Sequence, residues 1–555
     1  MLTLRNSVTV ARQTLTLFVG VRIPIPQPKL TAHAVSFLFI VLILKIYSDI
    51  LLCKLYQGKR INMSKSSFLP GIVISAVLFI FSVIFTVFLC LTHLLPLKYI
   101  LLCASLLLII CGGVLLLTRN TKNKVMFILG CLLTVISAAA MIFTFYVLNR
   151  VTSTIKNITH DGTETVQLSV FVKNDDAAQN LNDAADYTFC ILKTLDRSSI
   201  DLTIQKINDE IGKTVSVSEY DNLVEVIEVV LKSENRALVI NPEFLDALAE
   251  LEGFEDIHGK MREIAVKNIE IKDPEENEQD DPNKTGTKKP NGVFQLYISG
   301  IDTRKHSLNV RSRSDVNIIA TVNTNTHEVL LVTTPRDYYV PLSNSHGIPD
   351  KLTHAGIYGV NTSIDTLEML YDIDIDYYFR VNFDGFQKII DAIGGVDVYS
   401  NYKYESHNVS FQKGWNHLNG IEAMWYARER HALGGGDSQR AKHQMQIIGA
   451  VLTKLSNSTA MLENFSELMN SVDGCFQCTM SYEMIAGLVR GQLDTMASWN
   501  ISSYSVKGTG AYRVPYSLSS KAWVNLPDYS TVETATQLMQ AVINGEHVEV
   551  NEAQK

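Results

Sequence analysis

Three long apolar runs govern what this chain can fold into. "FLPGIVISAVLFIFSVIFTVFLCL" (68–91), "YILLCASLLLIICGGVLLLT" (99–118) and "VMFILGCLLTVISAAAMIFTFYVL" (125–148) contain no charged residue. Each reaches the roughly 20 residues that carry a helix across a hydrocarbon core. A soluble helix that is apolar on every face is rare, so three in succession argue against a wholly soluble fold. Basic residues beside the runs set their direction. "KLYQGKRINMSK" precedes the first and "RNTKNK" joins the second to the third, whereas the first-to-second link carries only His93 and Lys98. Basic loops stay in the cytoplasm, which puts the N-terminus inside and everything after residue 148 outside.

An earlier run, "FLFIVLIL" (37–44), stops at Lys45 and is too short to span. Met63 then opens a short basic tail. Residues 1–62 are expected to be a basic tail or upstream extension, and 63–150 the three-helix anchor. Of the eight cysteines only Cys190, Cys475 and Cys478 lie beyond the apolar runs, so no disulfide framework is expected. Cys475-Phe-Gln-Cys478 has redox spacing. With no second pair to complete a zinc site, it reads as an ordinary loop or helix pair.

Beyond the anchor, residues 155–271 alternate short apolar runs ("VQLSVFV", "ALVIN") with helical stretches ("YDNLVEVIEVVLKS"). This is the pattern of a small α/β accessory domain. It holds no dense cluster of chemistry-bearing residues, so a spacing role is expected. "KDPEENEQDDPNKTGTKKPNG" (272–292) has almost no apolar residue and reads as a disordered linker. From 293 to 513 strands alternate with helices, predicting a second α/β domain with helices around a mixed central sheet. The stretch 514–555 reads as a tail. "GIEAMWYARER" is expected to pass from helix to strand, placing Arg428 and Arg430 on one strand face. Asp437 is expected to cap the following helix, "SQRAKHQMQIIGAVLTKL", on which Arg440 and Gln444 share a face.

The formal net charge is −8, so these arginines are a local cluster, not a global excess. Guanidinium groups beside a helix N-terminus suit an anion with several oxygens. An exposed strand edge with surface ion pairs is the competing reading. Arg313 and Asp315 in "RSRSDVN", Arg336 and Asp337 in "TTPRDYYV", and Asp302 all sit at predicted strand ends, where α/β folds place ligands. Carboxylates among arginines fit either a magnesium shared with substrate phosphates or plain structural pairing.

"SRSDVNIIATVNTNTHEVLLVTTPRDYYV", "DKLTHAGIYGV", "YYFRVNFDGFQKIIDAIGGVDV", "LNGIEAMWYARER" and "GGDSQRAKHQ" follow one another in order. In them the chain resembles the LytR–CpsA–Psr family of Gram-positive cell-envelope proteins. With its three spans and accessory domain it is similar to that family's streptococcal capsule-locus branch. The resemblance covers most of residues 63 to about 514. It implies a membrane-anchored phosphotransferase that moves a glycopolymer, capsular polysaccharide or a related anionic wall polymer, from undecaprenyl pyrophosphate to peptidoglycan. By motif it implies magnesium at Asp302 and Asp315. It places the pyrophosphate on Arg313, Arg336, Lys351, Arg428, Arg430, Arg440 and Gln444. Arg428 and Arg430 are the expected catalytic arginines, with Asp437 as candidate base. The polyprenyl chain would lie in an apolar groove built from "IIDAIGG" and "QIIGAVL". Expected partners are the lipid-linked polymer, peptidoglycan and the plasma membrane, with capsule-biosynthesis proteins as further candidates and no nucleic acid. His443, Gln444 and Met445 depart from the family's second arginine and Gln-Gln pair. Two alternatives stay open: a lipid pyrophosphate hydrolase at the same site, and a membrane-associated transcriptional regulator. The second lacks a helix-turn-helix pattern.

Overall fold

A computed structural model describes residues 69–119, 123–158, 163–272, 289, 291–301, 308–430, 432–433, 436–457 and 476–550. The expected upstream extension, the 37–44 run, nearly all of the linker, Asp302 and Cys475 lie outside the described residues. The chain divides into two compact units, 1–145 and 146–555.

The first unit holds α1 (Leu69–Leu91), α2 (Leu97–Thr118) and most of α3 (Lys124–Ile158). All three are long and apolar enough to cross a membrane. α1 and α2 touch through small and hydroxyl residues. Ser75 Oγ donates to the Cys111 carbonyl, and a Cβ on Gly71 would come within 2.2 Å of the Thr118 carbonyl oxygen. Such close approach is how helices associate where no hydrophobic force separates lipid from protein.

The second unit begins with a five-stranded sheet: β1 (Thr163–Lys173), β2 (Thr188–Leu192), β3 (Ser216–Tyr220), β4 (Arg236–Ile240) and β5 (Met261–Lys272), in the order β3-β2-β4-β1-β5. α4 (Arg197–Ile211), α5 (Leu223–Lys232), α6 (Pro242–Leu248) and α7 (Ile257–Lys260) complete this accessory domain. Asn222 starts α5 by accepting from the amides of Val224 and Glu225, and Val226, Ile227 and Val230 bury its apolar face. Its sheet has an apolar core on each face. One of them also contains Ile357, Leu518 and Ala522 of the following domain. The two domains are therefore packed together through shared core.

The main domain is built on β6 (Val293–Ile301), β7 (Ser314–Asn323), β8 (Glu328–Thr333), β11 (Tyr377–Asn382), β16 (Phe476–Cys478) and β17 (Asn500–Ser505), ordered β16-β11-β6-β7-β8-β17. β11 runs parallel to β6 and β17 parallel to β8, whereas β7 runs antiparallel to both β6 and β8. The sheet is mixed, as expected. Short strands β9 (Tyr339–Pro341) and β10 (Pro349–Lys351) pair beside it and lead into α8 (Leu352–Tyr358) and α9 (Val360–Tyr371). α10 (Phe383–Ala392), the ribbons β12 (Val396–Ser400) with β15 (Gly414–Leu418) and β13 (Tyr404–Ser406) with β14 (Val409–Phe411), then α11 (Gly420–Arg428) and α12 (Gly436–Asn457), form the layer carrying the arginine stretch. α13 (Tyr482–Thr495) follows β16.

Residues 514–550 are not a tail. β18 (Gly508–Arg513) and β19 (Ala522–Pro527) form a ribbon, and α14 (Tyr529–Ile543) buries Val532, Ala535, Met539 and Val542 in the main core. That helix is amphipathic at the usual spacing, and its apolar stripe had to be covered. "GIEAMWYARER" likewise does not become a strand. Asn419 and Glu422 make a reciprocal capping box, and Ala423, Met424, Tyr426 and Ala427 give one buried face. α11 thus runs to Arg428, leaving Arg430 beyond its end. Within "IIDAIGG" and "QIIGAVL", Ile390, Ile393 and Ile447 pack together and are almost inaccessible, whereas Ile389, Ile448, Ala450 and Val451 are only partly buried.

Candidate functional site

The sheet register brings several chain ends to one place. Asn382 at the end of β11 is opposite Ile301 at the end of β6, which is opposite Ser314 at the start of β7. β8 pairs Thr333 with Ile318, and the Thr334 amide continues onto the Asn317 carbonyl toward that same end. Arg313 and Asp315 therefore flank one strand start, Arg336 and Asp337 follow one strand end, and Phe383 follows another. Asp302, the residue after Ile301, lies outside the described residues. Carboxyl ends of parallel strands are where open α/β sheets hold ligands.

Arg336 is 8% exposed; its Nη1 donates to Asp315 Oδ1 at 2.8 Å and its Nη2 to Glu250 Oε1 at 2.7 Å. Lys351, 3% exposed, donates to Glu250 Oε2 at 2.8 Å and lies 3.4 Å from Asp337 Oδ1. Local backbone holds both cations. Lys351 is paired with Tyr339 in the β9–β10 ribbon, and the Thr353 amide donates to the Arg336 carbonyl. The Thr353 hydroxyl also donates to Asp315 Oδ1 at 3.3 Å. Arg313 reaches Glu250 Oε1 (3.1 Å), Glu243 Oε2 (3.3 Å) and Asp246 Oδ2 (3.7 Å). α8 presses against this loop so tightly that a Cβ on Gly356 would lie 2.5 Å from the Ser312 carbonyl oxygen.

Arg313, Arg336, Lys351 and Asp315 are thus one cluster, as the sequence reading grouped them. Glu243, Asp246 and Glu250 belong to it too, and they come from the accessory domain, to which no chemistry was assigned. Their spacing of three and four, around α6, is the pattern of one helix face, but nothing in that spacing names the cations it meets. Burial raises Glu243 to about 7, outweighing Arg313. Burial also works against ionised Glu250, yet Arg336, Lys351 and Arg313 together hold it at about 2.

Arg428 is the last residue of α11 and is exposed. Its guanidinium stands 4.3 Å from the Phe383 ring centre and 5.8 Å from that of Trp425. Phe383 ties it to the site end of β11, three strand positions from β8, or about 14 Å at the usual strand spacing. Among the described residues no carboxylate pairs with Arg428. Arg440, buried, and Gln444 lie on α12, which packs against α11 through Tyr426, Ala427 and Ile447. Asp437 is the second residue of α12, inside the helix where a cap was expected; its side chain lies outside the described part.

His443 stands on α12 beneath Tyr426, with ring centres 4.1 Å apart. Its Nδ1–H donates to the Tyr426 carbonyl at 2.9 Å, leaving Nε2 to accept from Gln439. Burial lowers its pKa to about 4, so it is neutral at neutral pH. Met445 is core against β7 and β8. Cys478 is buried, and burial pushes its thiol up to about 11, which makes it unreactive at neutral pH.

The fold and site define a class: an α/β domain following three membrane-length helices, with guanidinium and ammonium groups gathered at one end of a mixed sheet. The LytR_cpsA_psr family model matches residues 261–535. The polyisoprenyl-teichoic acid–peptidoglycan teichoic acid transferase TagU of Bacillus subtilis is 30% identical over 219 residues, covering 39% of this chain and 69% of that protein. TagU of Halalkalibacterium halodurans is 31% identical over 39% of this chain and 70% of its own length. The crystal structure of B. subtilis TagV is similar at 26% identity and a TM-score of 0.40, covering 46% of this chain and 99% of that one. The chain belongs to the LytR–CpsA–Psr family.

Proposed function

We propose that this protein transfers a glycopolymer from a polyprenyl diphosphate carrier to peptidoglycan, on the outer side of the membrane in which its three helices sit. Capsular polysaccharide or a related anionic wall polymer is the cargo, and undecaprenol the carrier lipid. The observation that carries the reading is the cluster of Arg313, Arg336 and Lys351 at one sheet end, with the exposed Arg428 bound to that end through Phe383. The names of the teichoic acid transferases similar to this chain support the reaction class.

The chemistry requires alignment and charge neutralisation more than covalent help. The acceptor hydroxyl oxygen attacks the phosphorus that carries the polymer. The bond from that phosphorus to the bridging oxygen breaks, and polyprenyl phosphate leaves with the electron pair. Arg336, Arg313 and Lys351 hold the non-bridging oxygens, and Arg428, Arg430 and Arg440 with Gln444 take charge on the polymer side. The proton of the hydroxyl must go to a base, for which Asp437 is the candidate.

Asp315 suits a magnesium ion. Arg336 and Thr353 both donate to its Oδ1, and among the described residues no hydrogen bond reaches Oδ2. Asp302 would be its partner ligand, and the ion would supply charge neutralisation between the phosphates.

The test is transfer by the full chain in vesicles, with a polyprenyl diphosphate-linked polymer and a peptidoglycan fragment. Arg336→Ala should lower polymer-linked peptidoglycan by roughly 10- to 150-fold, the loss of one hydrogen-bonded charged contact. Undiminished transfer by that variant, or release of free polymer phosphate in place of linkage, contradicts the proposal.

A further inference from the structure

The three buried cations of the site are already matched. Glu250 places Oε1 between Arg336 and Arg313 and Oε2 on Lys351, so two oxygens of one carboxylate engage three cations. That is the contact pattern a phosphate group would make in the same place. Counting every carboxylate except the half-protonated Glu243 as fully charged near pH 7, three cations face Glu243, Asp246, Glu250, Asp315 and Asp337, a balance between minus one and minus two. Without the three accessory-domain carboxylates the balance is plus one. A diphosphate therefore meets a site whose charge, as it stands, repels it.

We propose that Glu250 is a displaceable stand-in for the substrate's phosphate: it occupies the anion site while the site is empty and swings out when a diphosphate arrives. The proposal rests on the reading of this cluster as a diphosphate site. Its physical reason is burial. Lys351 and Arg336 have almost no access to water; without Glu250, Lys351 would keep the 3.4 Å contact to Asp337 and Arg336 its contacts to Asp315 and Asp337, so Glu250 supplies the close second anion that these buried cations would otherwise lack.

The movement needed is that of one side chain. Glu250 lies past the end of α6 and is a third exposed. The domain that carries it is fixed elsewhere. Glu164 of β1 is buried and holds Arg311 at 2.8 Å and the fully buried Arg380 at 3.1 Å, and the Thr165 amide donates to the Asn309 carbonyl. With that lock intact, Glu250 alone can leave and expose the three cations. The competition weakens the apparent affinity for any diphosphate and excludes weaker free anions.

The experiment is calorimetric titration of inorganic pyrophosphate into the full chain in detergent. Glu250→Gln, which keeps size and loses charge, should bind at least roughly tenfold more tightly than the wild type. Glu250→Asp, which keeps charge but cannot reach across from Arg336 to Lys351, should fall between the two, and Arg336→Ala should lose binding. If Glu250→Gln binds equally or more weakly while Arg336→Ala loses binding, the anion site stands and the stand-in role is overturned. If none of the proteins binds pyrophosphate, the anion site itself falls, and this inference with it.

Discussion

Arg336 concentrates the chemistry of the site because both of its amino groups are engaged: one holds Asp315 and the other Glu250. A lysine there would keep the charge but lose the paired donors, which are not interchangeable with a point charge. Arg336→Lys should therefore weaken donor binding by roughly tenfold, less than Arg336→Ala, read as the polymer-donor concentration at half-maximal transfer. His443 gives a second expectation. Its folded pKa of about 4 lies below the ordinary value of 6.5. Between those pH values the unfolded chain binds a proton that the folded chain does not. The stability this histidine contributes is thus complete above pH 6.5 and drains as pH falls toward 4, by up to roughly 3 kcal/mol. Unfolding followed from pH 7 to 4 should lose that slope in His443→Gln. Arg313, Arg336 and Asp315 could be read from sequence because each sits beside a strand end, and Lys351 only through the family resemblance. Glu250 could not, because its partners are between 63 and 101 residues away in the chain and only tertiary packing joins them.

At the scale of elements, β6, β7, β8 and β11 follow from alternating and continuous apolar runs, whereas β17 has no such signal and Phe476–Cys478, which reads as an ordinary loop or helix pair, is the edge strand β16. α11 shows where such reading stops. "MWYARER" alternates well enough for a strand, but the Asn419–Glu422 capping box and a helical buried face decide otherwise. Arg428 consequently stands at a helix end, over the Phe383 ring. The region beyond residue 513 was misread for a related reason: α14 has polar residues over most of its surface, and its four buried side chains gain meaning only from the sheet they cover. The joint between β1 and the main domain is also tertiary. Arg380 is 1% exposed and its carboxylate partner is Glu164. Removing that partner by Glu164→Gln leaves a buried charge uncompensated, at a cost of about 3–5 kcal/mol. The melting temperature of the full chain's second unit should fall accordingly in a calorimetric scan, and an unchanged value would show that the joint bears no load.

On the scale of the whole molecule, the accessory domain is part of the site. It shares apolar core with the main domain, locks to it through Glu164, and contributes three of the five carboxylates around the cations. On the proposed reading, the cations at the end of the central sheet bind the diphosphate of a lipid carrier. A crystal structure of the full chain with a polyprenyl diphosphate and magnesium tests this most directly. It should show phosphate oxygens within hydrogen-bond distance of Arg336, Arg313 and Lys351, with Glu250 turned away. A diphosphate bound elsewhere, with Glu250 still seated on those three cations, would contradict the account.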